Sequence, residues 1–326
     1  MRSIQGWRLA FLCLAVEAVC TSRPVPIEAA AAPPPAPETV TGPALVRKQV
    51  LRRALREDAS QEYLLYVPAS GGFGARVFVD VHGISRNVEE HATLFAPYAE
   101  KYGVVLVAPS FPKNGHTGYQ WLGAEDRGRR ADLDLEAILR EVHELTGAHT
   151  DAFYLFGFSG GAQFAHRYAM AHPDRVAGAA IGAAGWYTFP DSGTAYPYGL
   201  APGPERSGIR FDPQRFLRVP MTVFVGIEDV RGESLRQNPE VDRQQGTTRR
   251  ERARRWVAAM RRAAEVRGLE PRVTCQEVPG IKHSFRQFMQ QGDLGDRVFG
   301  ALFGSPAKGA ASSGADAPRV ARGGGR

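Results

Sequence analysis

The chain has 326 residues, 43% of them hydrophobic and 23% charged, with 36 Gly, 23 Pro and three Cys. This composition suits a globular core and excludes fibrous and wholly disordered classes. Past the N-terminus no stretch stays apolar for the roughly eighteen residues that a membrane-spanning helix needs, and the few cysteines exclude a disulfide scaffold or a four-cysteine zinc site.

The first residues carry Arg2 and Arg8 ahead of an apolar run from Leu9 to Val16, the layout of an export signal. Residues 1–22 are therefore expected to direct export, with Cys20 as an alternative point of lipid attachment. Residues 23–44 are rich in Ala and Pro and read as an extended linker, residues 45–304 as one catalytic domain, and residues 305–326, without a periodic apolar face, as a disordered tail.

Within the domain, short apolar runs alternate with helical patterns. Residues 63–67, 76–81 and 104–108 read as strands, with a helix over 89–102. Residues 132–145 read as a helix whose Leu133, Leu135, Ile138, Leu139 and Val142 share one face. A buried strand over 152–156 leads into a helix over 161–171, and strands follow at 176–181, 221–227 and 272–278. The alternation predicts an α/β fold with a mostly parallel central sheet and helices on both faces.

The net charge of +7 is concentrated in Arg249, Arg250, Arg252, Arg254, Arg255, Arg261 and Arg262. Ala253, Trp256, Val257, Met260 and Ala264 fall among them at helical spacing, so this stretch reads as an amphipathic helix with a solvated basic face. No zinc-finger, helix-turn-helix or RNP-type pattern accompanies the charge, and no nucleic-acid partner is expected.

In sheets of this kind, ligands sit beyond the carboxyl ends of the strands. Past the strand ending at Phe156 comes Gly157-Phe158-Ser159-Gly160-Gly161, a G-x-S-x-G pentapeptide between a strand and a helix. In that setting a sharp turn lifts the serine hydroxyl above the sheet and glycines relieve the crowding. A serine hydroxyl needs a base, and the base a carboxylate to orient it. Of the histidines after Ser159, His166 lies along the following helix and His172 at its far end, whereas His283 follows the strand ending near Val278 through a tight Pro279-Gly280 loop. His283 is the expected base. The acid is expected just past the strand at 221–227, where Asp229 is chosen over Glu228 and the more distant Asp242. An oxyanion would meet the backbone N–H of Gly160 at a helix N-terminus and a second N–H near Ile84, in the loop Val81-His82-Gly83-Ile84-Ser85. His82 is expected to brace that loop.

Together these pieces resemble the α/β-hydrolase superfamily over residues 63–303, and are similar to the branch of polyhydroxyalkanoate depolymerases and feruloyl or acetylxylan esterases. The matching residues are Tyr66-Val67-Pro68, His82-Gly83, Gly157 to Gly161, Gly226 with Asp229, and Gly280 with His283, in the Ser, Asp, His order of that superfamily. The resemblance implies Ser159 as nucleophile, Asp229 as orienting acid and His283 as base. The chain departs from it where Ile84, Ser85 and Arg86 follow the His-Gly pair, since relatives often have another Gly or a Cys there. Trp121, Trp186 and Tyr187, in loops beyond strand ends, are candidates for a substrate wall or for a satellite core. The expected function is an exported hydrolase of small or polymeric carboxylic esters. No metal or organic cofactor is expected, because zinc-protease, EF-hand and phosphate-loop patterns are missing. A peptidase or acyltransferase on the same scaffold, or a non-catalytic binding protein, stays open.

Overall fold

Strand β3 (Arg76–Val81) shows how the sheet acquires two buried faces. Val77, Val79 and Val81 point into one apolar cluster and Phe78 into another, as the two-residue period of a strand requires. In β5 (His149–Phe158), Phe153 and Leu155 join the first cluster while Phe156 and Phe158 join the second. A strand buried on both sides is apolar throughout, which is why these runs lack alternation.

The computed structural model describes residues 46–123, 128–203, 208–230 and 235–304. The expected export signal with Cys20, the linker and the tail lie outside the described residues. Besides β3 and β5, the strands are β1 (Val50–Ala54), β2 (Glu62–Tyr66), β4 (Val105–Pro109), β6 (Val176–Gly182), β7 (Met221–Gly226) and β8 (Val273–Val278). They form one sheet in the order β1-β2-β4-β3-β5-β6-β7-β8. β2 runs antiparallel to β1 and β4, and every other adjacent pair is parallel. The helices are α1 (Val88–Tyr102), α2 (Ala131–Thr146), α3 (Gly160–Ala171), α4 (Pro213–Phe216), α5 (Pro239–Gln245), α6 (Arg249–Glu265), α7 (Phe285–Gln291) and α8 (Leu294–Phe303). Buried residues of α2, α3 and α6 fill the first cluster and those of α1, α7 and α8 the second, so both faces of the sheet are covered. Among the described residues no helix is long and apolar enough to cross a membrane.

Two expectations about helix faces need correction. Leu133 is 54% exposed. It stands about 200° around α2 from Leu135, opposite the stripe made by Leu135, Ile138, Leu139 and Val142. The basic face of α6 is not wholly solvated either: Arg249 and Arg252 are buried, together with Ala253, Trp256, Val257, Met260 and Ala264. Arg252 bonds to Asp242 at 2.6 Å and to the Gly185 and Gly246 carbonyls, while Arg250 and Arg254 share Glu277. Much of the local positive charge is thus matched within the protein.

Candidate active site

The turn from β5 into α3 can exist only because it is made of glycines. A Cβ on Gly157 would lie 2.1 Å from the Gly161 carbonyl oxygen, and one on Gly161 would lie 1.9 Å from that of Val81. Between them Ser159 adopts φ 55° and ψ −109°, a conformation that non-glycine residues rarely populate and that surrounding bonds must hold. Its N–H donates to the Gly182 carbonyl at 2.7 Å, which fixes the strained residue to the end of β6.

Three side chains from three strand ends meet there. His283, in the loop between β8 and α7, has its Nε2 3.0 Å from Ser159 Oγ, so the hydroxyl can donate to it. Its Nδ1–H donates to Asp229 Oδ2 at 2.8 Å. Asp229, in the turn after β7, is buried, and its second oxygen accepts from Arg249 Nη1 at 2.9 Å. The imidazole stacks on Phe158 with ring centroids 5.2 Å apart, and Ser284 begins α7 immediately after it by accepting the Gln287 N–H. The base is therefore held by packing and by the capped start of a helix. Glu228 is exposed and Asp242 is engaged by Arg252, so of the three carboxylates weighed from the sequence only Asp229 meets His283.

The segments that carry the two candidate oxyanion donors are neighbours: a methyl placed on Gly160 would lie 3.2 Å from the Ile84 nitrogen. Among the described residues neither amide donates to a protein acceptor. His82 braces this loop: its Nδ1–H donates to the Gly83 carbonyl at 2.8 Å and its Nε2 accepts the Phe111 N–H at 3.0 Å. The Tyr119 hydroxyl adds a bond to the His82 carbonyl at 3.0 Å. His166 points away from the site, bonded to the Ala162 carbonyl and the Thr188 N–H.

Burial pushes His82 down to about 3 and His166 well below the usual imidazole range, so both fold as neutral rings. The unfolded chain takes up protons near pH 6.5 that the folded chain refuses, so stability falls as pH drops from about 6.5 toward 3, by up to about 1.4 kcal/mol per unit for each ring. Carboxylate contributions, as at Asp58, which hydrogen bonds from Ser60 and Arg129 hold at about 2, are lost only below about pH 4. Urea midpoints are therefore expected to decline between pH 6.5 and 5, and His82→Gln or His166→Gln to flatten that decline. An unchanged slope in both variants contradicts this assignment.

A cavity of about 430 Å³ opens beside Ser159 and His283, with Ile84, Asn87, Glu90, Phe158, Phe285 and Arg286 among its lining residues. Trp121, Trp186 and Tyr187 are not among the residues that line it. Tyr187 is fully buried, stacked on Trp256 at 4.9 Å and bonded through its backbone to Gln245. Trp186 lies beneath the Arg167 guanidinium at 4.3 Å and against Trp121, with ring centroids 6.1 Å apart. The aromatic connection after β6 packs itself down with its own partners, chiefly Arg167 and Trp256, which its sequence alone could not show. Among the described residues no group of three or more His, Cys, Asp or Glu is placed to hold a metal ion.

No protein-family model matches the chain, and no curated protein matches it in sequence. Solved structures do. Poly(aspartic acid) hydrolase-1 from Sphingomonas sp. KT-1 superposes with a TM-score of 0.63 at 25% identity, over 72% of this chain and 92% of that one. A poly(3-hydroxybutyrate) depolymerase from Bordetella parapertussis gives 0.60 at 27% identity, over 77% and 94%. An S-formylglutathione hydrolase from Agrobacterium tumefaciens, at 0.52 and 16% identity over 78% and 94%, shares the fold.

Proposed function

The chain is an α/β-hydrolase in fold, and from that premise we propose that it is a serine hydrolase that cleaves carboxylic esters through an acyl-enzyme. The observation that carries the reading is the unbroken hydrogen-bond chain Ser159 Oγ to His283 Nε2 and His283 Nδ1 to Asp229. Ser159 Oγ attacks the ester carbonyl while its proton passes to His283 Nε2. Asp229 keeps the ring in the required tautomer and stabilises the imidazolium. The carbonyl oxygen, now negative, faces the Ile84 and Gly160 N–H groups, each such donor being worth about 3 kcal/mol of barrier. Collapse expels the alcohol with the proton from His283, and water activated by the same ring then releases the acid and restores the serine.

Polymeric esters are the proposed substrate class. By their names the two structural neighbours at 25% and 27% identity act on polymers, and a cavity of about 430 Å³ lies beside the serine. One of those neighbours acts on poly(aspartic acid), an amide-linked polymer, which favours amide cleavage as the second reading. p-Nitrophenyl acetate is expected to give a burst of about one equivalent of nitrophenol, and short hydroxybutyrate oligomers to be hydrolysed faster than peptide or aspartyl-amide oligomers. Turnover of amides alone supports the second reading, and transfer of the acyl group to an added alcohol without release of acid marks an acyltransferase. A folded protein that neither turns over nor is acylated by any ester contradicts an enzyme of this class. The proposal includes export, on the strength of Arg2, Arg8 and the apolar run that follows. Sequencing the N-terminus of the mature protein tests that part, and a cytosolic product still starting at Met1 contradicts it.

A further inference from the structure

We propose that Arg249 is a positioning residue of the catalytic chain, acting through Asp229 to set both the aim and the charge of the acid that faces His283. This rests on the serine-hydrolase reading above. Asp229 lies outside regular structure, in a turn closed by its own N–H to the Gly226 carbonyl at 3.3 Å. A carboxylate on such a turn can swing, and a swing of about 1 Å in a reacting array can cost on the order of 10²-fold in rate. Two bonds prevent it. Oδ2 meets the imidazole at 2.8 Å and Oδ1 meets the guanidinium at 2.9 Å, so one oxygen is tied to the base and the other to a helix.

That helix is well anchored. Arg249 is the first residue of α6, whose start carries a capping box between Thr248 and Glu251 and whose Trp256 donates to the Thr188 carbonyl. A cation at a helix N-terminus opposes the helix dipole, and burying it adds a desolvation cost. Arg249 and Asp229 side chains are each only 2% exposed. The Asp229 carboxylate offsets that cost.

Among the described residues, Glu90, His91 and Arg286 line the same cavity as His283, with Arg286 paired to Glu90 at 2.6 Å. The Tyr187 hydroxyl and the Cys275 thiol stand close by, but burial holds the phenol well above its usual range and pushes the thiol up to about 11, so neither is charged near neutral pH. Arg252 is matched by Asp242, and Glu228 and Lys282, chain neighbours of the acid and the base, are exposed and screened. The guanidinium therefore partly cancels the carboxylate that the imidazole faces. Protonating His283 in the free enzyme adds a second positive charge to an acid already shared, and removing the guanidinium makes that protonation easier.

The test compares wild type, Arg249→Met, Arg249→Lys, Asp229→Asn and the Asp229→Asn/Arg249→Met double variant on p-nitrophenyl acetate, with circular dichroism to verify folding. Arg249→Met is expected to lose on the order of 10²-fold in kcat with little change in KM, and the acid limb of its kcat/KM profile to move up by about one pH unit. Arg249→Lys should keep the limb at the wild-type position. In the double variant the buried charges are removed together, so it is expected to fold even where Arg249→Met does not, and its kcat/KM should match that of Asp229→Asn within about threefold. An Arg249→Met profile of wild-type shape, or a large further loss in the double variant, overturns the proposal. A wild-type protein that folds but neither hydrolyses nor is acylated by any ester overturns the hydrolase reading instead, and the two failures are distinct.

Discussion

Ser159→Ala is expected to lower kcat by at least about 10⁴-fold while leaving the fold intact, a loss of more than about 5 kcal/mol of transition-state stabilisation. The size follows from the geometry. Ser159 Oγ is the oxygen that touches His283 Nε2, so without it the base has nothing to activate except water held in the wrong place. His283→Ala should lose as much, because an unassisted hydroxyl is a poor nucleophile near neutral pH. The double variant should be no slower than either single one, since the two groups act as a unit. Ester hydrolysis rates of the three variants, measured beside their unfolding midpoints, check this. Additive losses, or a single variant within about tenfold of wild type, would show that the hydrogen-bonded chain is not the reacting array.

Gly161→Ala should cost about 3 kcal/mol of stability, with a fall in activity on the order of 10²-fold. The added carbon would meet the Val81 carbonyl oxygen at 1.9 Å and that of His82 at 2.6 Å, both backbone atoms that cannot rotate away. Relief requires α3 to withdraw from β3, and that movement separates the Gly160 amide from the Ile84 amide. Stability and oxyanion geometry therefore fail together. Gly300→Ala in α8 is the control: nothing lies within 4 Å of its added carbon, and in an exposed helical position alanine is favoured by about 0.5–1 kcal/mol. Chemical denaturation of the two variants checks the contrast. Equal stabilities would mean that the elbow is looser than its backbone contacts imply.

Much of this arrangement is legible in the residues, and the parts that are not share a cause. Strands β3, β4, β5, β6 and β7 carry dense apolar runs because both faces of the sheet are covered, so their positions follow from composition, whereas β8, at the sheet edge, is polar at Thr274, Gln276 and Glu277. β1 does not announce itself, because Val50-Leu51-Arg52-Arg53-Ala54 is an edge strand with little burial. The nucleophile and base are marked by glycine punctuation at Gly157, Gly160, Gly161 and Gly280, where a turn must occur. Asp229 is marked less sharply, since Glu228 stands beside it at the same strand end and only the fold decides which of the two points inward. Nothing local marks Arg249 as a site residue, because an arginine-rich helix reads as a solvated face. Yet its spacing from Arg252, Ala253, Trp256 and Met260 already placed it on the buried side of α6. The aromatic connection is legible only in composition, which suits a binding wall and a satellite core alike; the long-range partners of Trp186 and Tyr187, Arg167 and Trp256, are encoded in no local pattern.

The most direct measurement is to treat the folded protein with a fluorophosphonate, digest it and locate the adduct by mass spectrometry. One phosphonyl group per chain is expected, on Ser159, formed slowly or not at all in His283→Ala. An adduct on any other residue, or a folded protein that stays unlabelled, would contradict it.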